Sequence, residues 1–351
     1  QTFLIRADSV KGFLVALVIV FLMVLSVVGL YIQSRKQVGA IQYGRGVEAL
    51  LERDSVNEAE NFFLRAVVFD DGRDYYYSAV TQTSSIKLQR ILQNAKGAPP
   101  EEVQKTFQAA LSSAIASAQK ATEVNPANAG NWRLLGQIYE LVVPYVGGSA
   151  EAARQAYQQA ITQAPSDPML RDDFARVSMV LGDYVKAREA LEEAIRMKPD
   201  YAAAHFRLAQ IAIIKGNVED AILNTERAAL SAPDDIGILF QLGMLYYQQN
   251  RYREARQILE RAVQINTNYS NARYFLGLIY ASEGERARAV EQFELIQALN
   301  PDNREIKTIL ENLQNGREPL AGIAPPPLTR NNPPVGKEGK ELEQERELKD
   351  Q

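Results

Sequence analysis

Residues 168–201 read PMLRDDFARVSMVLGDYVKAREALEEAIRMKPDY, and residues 202–235 read AAAHFRLAQIAIIKGNVEDAILNTERAALSAPDD. Laid one under the other, these two stretches of 34 residues place Pro199 over Pro233, and Pro301 falls two more periods along. A fixed period of this length marks stacked pairs of helices, not one globular core. The period runs on through 236–269 and 270–303. The seventh and eighth positions hold a large apolar residue and then a small one: Phe174-Ala175, Leu208-Ala209, Leu242-Gly243 and Leu276-Gly277. The twentieth is Ala187, Ala221, Ala255 or Ala289, and the twenty-seventh is Ala194, Ala228, Ala262 or Ile296. Small residues at these places let two helices approach closely. Gly182, Gly216, Asn250 and Gly284 sit at the mid-window turn, where ending a helix calls for left-handed backbone. The closing Pro stops the second helix, because it lacks an N–H and restrains its predecessor.

Toward the N-terminus the pattern loosens. Residues 129–167 carry Trp132, Leu135-Gly136, Tyr139, Ala153, Tyr157, Ala160 and Pro165, with an insertion around 142–148. Glu101 to Val124 predicts one long second helix closed by Asn125-Pro126. Its partner is expected over Tyr75 to Gln93, with Gly97-Ala98-Pro99-Pro100 between them. Ala40 to Arg73 is a weaker match, with Ala59, Phe63 and Ala66 in the expected places. The division expected is a degenerate helical region over 40–128 and five regular repeats over 129–303.

Toward the C-terminus, 304–315 predicts an amphipathic cap, with Ile306, Ile309, Leu310 and Leu313 on one stripe. Beyond it, 316–351 is rich in Pro and then in charge, and reads as a disordered tail.

The constellation resembles the tetratricopeptide repeat (TPR) family from about Ala40 to Asn303. That resemblance implies an all-α fold, a right-handed α-solenoid of helix-turn-helix repeats. It also implies a concave groove lined by the first helix of each pair, holding a protein or peptide partner. Positions two, five, nine, twelve and thirteen of each window would face it. Among them are Met169 and Arg176; Phe206, Gln210 and Ile213; Phe240, Met244 and Tyr247; and Tyr274 and Leu278. The set is apolar and aromatic, which suits an amphipathic segment. Chaperone-binding members of the family hold a terminal carboxylate with Lys, Asn and Arg. The fifth positions here are Asp172, Phe206, Phe240 and Tyr274, so that clamp is not expected.

Gly12 to Ile32 is a run of 21 residues without a charge, flanked by Arg6 and Lys11 before it and Arg35 and Lys36 after it. As a helix it would span roughly 30 Å, the thickness of a bilayer core. The chain is therefore expected to be anchored by one span, in a bacterial cytoplasmic membrane. The flanking charges nearly balance and leave the side open, with the extracytoplasmic side preferred. Since residue 1 is Gln, the chain reads as a piece of a longer product. A second reading follows. The layout is similar to the C-terminal part of O-antigen ligase/polymerase-like membrane proteins, whose catalytic spans would lie upstream.

No catalysis, cofactor or metal is expected of the residues themselves. The chain has no Cys and a single His, which leaves no His-based triad and no Cys-ligated zinc. His205 occupies the packing position that Trp132 holds in its own window. A net charge of −4 gives no case for nucleic acid.

Overall fold

The computed structural model describes residues 10–94 and 100–323. Among them are fifteen α-helices and no strand. They are α1 (Val10–Leu51), α2 (Val56–Phe69), α3 (Asp74–Asn94), α4 (Pro100–Val124), α5 (Ala129–Leu141), α6 (Ser149–Gln163), α7 (Pro168–Val180) and α8 (Tyr184–Met197). There follow α9 (Ala202–Ile214), α10 (Val218–Ser231), α11 (Ile236–Gln248), α12 (Tyr252–Ile265), α13 (Ser270–Ser282), α14 (Arg286–Leu299) and α15 (Arg304–Gln314). The chain divides into two compact units between Leu181 and Gly182, inside the window 168–201 and not at its edge.

The close helix approaches are real. A Cβ added to Gly136 would lie 2.6 Å from the Tyr157 ring, and one on Gly277 2.5 Å from the Phe293 ring. Gly243 meets Leu259 in the same way. The alanines at positions twenty and twenty-seven are fully buried. The turns adopt the left-handed backbone that their residues permit, at φ 75° for Gly182, 74° for Gly216, 58° for Asn250 and 80° for Gly284. Several helix starts are capped by side chains: Asp167 accepts from Met169 N–H, Asp235 from Ile238 N–H, and Asn303 from Glu305 and Ile306 N–H.

Two recurrent bonds tie windows together. The fourth residue of a window reaches back six residues to a carbonyl at the close of the previous one. Trp132 Nε1 donates to Pro126 O (2.8 Å), His205 Nε2 to Pro199 O (2.9 Å) and Arg273 Nε to Thr267 O (2.7 Å). A carbonyl can only accept, so Nε2 of buried His205 carries the proton. In the second unit, the Tyr280 hydroxyl donates to Glu260 (2.7 Å), and one period earlier Tyr246 donates to Glu226. Burial, and then the carboxylate, push both phenols up to about 12.

The structure amends the sequence reading at both ends. The helix that carries the apolar run does not end before the first repeat begins. Residues 33–38 contain neither Gly nor Pro, and α1 continues unbroken through Gly39 to Leu51. Its last turns pack on α2, where Gly39 sits against the Ala66 carbonyl and Gly46 against the Phe63 ring. Phe13 to Ile32 of the same helix are exposed, over a length and composition able to cross a membrane. At the other end, the tail expected over 316–351 begins as ordered chain. The Arg317 N–H donates to Asn312 O, and buried Asn312 Nδ2 donates to the Pro319 and Ala321 carbonyls. Leu320 and Ile323 pack on the core of the second unit. Apolar side chains and two carbonyl acceptors order this segment without a helix. The expected loop at Gly97–Pro99 and the tail from 324 onward lie outside the described residues.

Candidate functional site

In the first unit, α3, α5 and α7, each the first helix of a pair, line an open hollow of about 670 Å³. Gln82, Ser85 and Gln89 of α3 form one wall, Gln137 and Glu140 of α5 the middle, and Arg176 of α7 the far side, with Ile86, Leu134, Ile138 and Leu141 between them. The residues at 82, 85, 86 and 89 recur at helical spacing, so a single face of α3 supplies them.

The charges of this wall are paired with each other. Arg176 bridges Glu140 (2.9 Å) and Asp173 (2.6 Å), and Arg133 holds the other oxygen of Asp173 at 2.6 Å. The hydroxyl of fully buried Tyr157 donates to Glu140 at 2.7 Å. Burial, then the Glu140 carboxylate, raise that phenol far above its ordinary value. Burial disfavours the Arg176 charge, but Glu140, Tyr157 and Asp173 more than offset it and raise its pKa. The hollow thus offers amide and hydroxyl groups, while its ions neutralise one another.

A second polar cluster fixes the entry to α3 and α5. Asn125, Asn128 and Asn131 each donate an amide N–H to the same Asp74 oxygen, at 3.1, 2.9 and 2.9 Å. Ser78 donates to Asn131 Oδ1 and so fixes which way that amide points. Burial acts to raise the Asp74 pKa, but the three amides outweigh it and hold the carboxyl below its ordinary value.

Tetratricopeptide-repeat sequence models match residues 107–168 and 173–236, and a further one matches 246–313, together more than half of the chain. The chain belongs to the tetratricopeptide repeat family. No curated protein matches it. Among solved structures, a tetratricopeptide repeat protein from Parabacteroides merdae superposes with a TM-score of 0.50 at 15% identity. That match covers 80% of this chain and all of the other. PilF of Pseudomonas aeruginosa gives 0.48 at 14% identity, over 67% of this chain and 97% of its own. YrrB, described as a TPR protein with an unusual peptide-binding site, gives 0.42 at 21%, over 53% and 93%. At these identities the likeness is one of fold.

With the TPR register in place, the expected groove residues sort into three groups. Arg176 lines the hollow of the first unit, whereas Met169, 44% exposed, is not part of its wall. In the second unit, Phe206 and Gln210 of α9 are half-buried and Ile213 is 40% exposed. Phe240, Met244 and Tyr247 of α11 are half-buried on the core. The Phe240 and Tyr247 rings stand 6.0 and 5.2 Å from Phe275, and burial pushes the Tyr247 phenol up to about 12.

Tyr274 and Leu278 of α13 are buried, contrary to a groove-facing role. The Tyr274 ring packs on Phe275 of its own helix and Phe293 of α14, and its hydroxyl donates to Glu305 at the start of α15 (2.9 Å). The hollow residues Gln82, Ser85, Gln89, Gln137 and Glu140 are missing from the sequence-derived set. Positions nine and twelve of the window 129–167 are Gln137 and Glu140, so the same positional rule applied one window earlier finds both.

Proposed function

We propose that this chain is a membrane-tethered TPR scaffold that captures a segment of a partner protein in the hollow between α3, α5 and α7, with no catalytic step of its own. The observation that carries the reading is the chemistry of that wall. Gln82, Ser85, Gln89 and Gln137 offer both donors and acceptors around about 670 Å³, and the adjacent charges are already paired. Such a surface suits the N–H and C=O groups of an extended peptide better than a strongly charged ligand. Tethering through α1 would raise the local concentration of membrane-bound partners, so modest affinity suffices.

A photo-crosslinker at Gln137 in cells tests this. It should capture one defined segment that the same group at Glu102, exposed on α4, does not capture. Capture should vanish when Gln82 and Gln89 are both changed to Arg while the circular dichroism stays unchanged. Capture of the same peptides from both positions, or persistence in the double variant, refutes the hollow as the site.

A second reading places an amphipathic helix on the apolar strip of α9 and α11. Its support is the exposure of neighbouring Ile213 and Ile214, at 40% and 56%. Phe206→Glu with Ile213→Glu would then abolish partner binding in a chain that keeps its melting temperature.

A further inference from the structure

The first repeat shares one helix with the apolar run, and this fixes where its surface stands along that helix. Arg35 Nη2 donates to the carbonyl of Val68, next to last in α2, at 2.6 Å. Arg35 lies three residues beyond Ile32, a rise of about 4.5 Å along an unbroken helix. The headgroup layer on each side of a bilayer is itself roughly 5–8 Å deep. If α1 spans the membrane as read above, the end of α2 and the turn into α3 stand at headgroup depth.

The side chains there suit that layer. Val68 is 69% exposed although it belongs to a well-packed hairpin, and no described residue covers it. Arg35, Lys36 and Arg73 are exposed around it, and Asp70 is engaged by Arg73 at 3.3 Å. Tyr31 sits one turn below Arg35 and is exposed, where an amphipathic ring prefers to lie. Gly39, with the Ala66 carbonyl 3.3 Å from where a Cβ would be, lets α2 lie flush on α1. The end of α2 is therefore held at the depth that α1 sets.

We propose that the α2–α3 turn is a lipid-docking surface: Val68 inserts among the headgroups while Arg35 and Lys36 meet lipid phosphates. The anchor is then a two-point attachment, and the first repeat lies on the bilayer instead of swinging from it.

The chain has no Cys, so single cysteines report one position each. The full chain is reconstituted in phosphatidylcholine–phosphatidylglycerol vesicles, with an environment-sensitive fluorophore at Val68→Cys, Asn57→Cys or Phe21→Cys. Asn57 is exposed near the other end of α2, about 16 Å along the helix, and serves as the control. Headgroup spin-labelled lipid should quench the label at 68 several-fold more than the label at 57. Acyl-chain spin-labelled lipid should quench the label at 21. Quenching at 21 with equal, weak quenching at 68 and 57 overturns the docking surface and leaves the span intact. No quenching at 21 overturns the span and the docking surface with it.

Discussion

Removing the Asp74 carboxylate should release α3 from the loop that leads into α5. Three amides converge on one oxygen in this cluster, and each such bond contributes about 1 kcal/mol net. The site is half-buried, so solvent screening keeps each bond near that ordinary value, and Asp74→Ala is expected to cost about 3 kcal/mol. Asp74→Asn keeps an acceptor oxygen but not the charge, and should cost about 1 kcal/mol. The one Trp of the chain is a local reporter: Trp132 follows Asn131 and is bonded to Pro126 inside the same loop. Because repeats unfold in part independently, Trp132 fluorescence in a urea titration is the right readout. With m near 1–3 kcal/mol/M, the alanine variant should shift the midpoint down by roughly 1–3 M.

The pH dependence follows from the direction of the shift. The folded Asp74 carboxyl titrates below the ordinary range of an Asp side chain. Its stabilisation is therefore complete above the unfolded pKa and is lost as pH falls through the folded one. The gap between wild type and Asp74→Asn should be constant from pH 7 to 5 and close below about pH 4. Equal midpoints at pH 7, or a gap that persists unchanged at pH 3, refute this account of the cluster.

Gly277→Ala should cost about 1–3 kcal/mol by overpacking against Phe293, whereas Gly284→Ala, in open space at φ 80°, should cost about 1 kcal/mol through backbone strain alone. Thermal melts of the two variants check that order. Tyr157→Phe should lower stability by about 1.5–3 kcal/mol, because it leaves Glu140 without its hydroxyl donor; a neutral result sinks the network argument. Truncation after Asn315 should destabilise the second unit by about 2 kcal/mol relative to truncation after Ile323, through loss of Leu320 and Ile323 from its core; equal thermal melts for the two would refute this.

Periodicity in the sequence determined the helices, their turns and the close-approach positions. These depend on local rules: a Gly at a left-handed turn, a Pro after a helix, and an Ala or Gly where two axes come near. The continuity of α1 was also legible in principle, since 33–38 contains neither Gly nor Pro, although the change from apolar to mixed composition resembles a boundary. Exposure is another matter. Tyr274 and Phe240 occupy the same window position, yet Tyr274 is buried and Phe240 is half-open. The repeat fixes the direction of a side chain relative to its own helix, whereas the side chains packed around it decide whether it meets solvent. The hollow of the first unit likewise joins residues from α3, α5 and α7, up to 94 positions apart between Gln82 and Arg176. The sequence by itself determined which face each first helix presents. Only packing decided which faces were left open, because burial is set by neighbours that no single period contains.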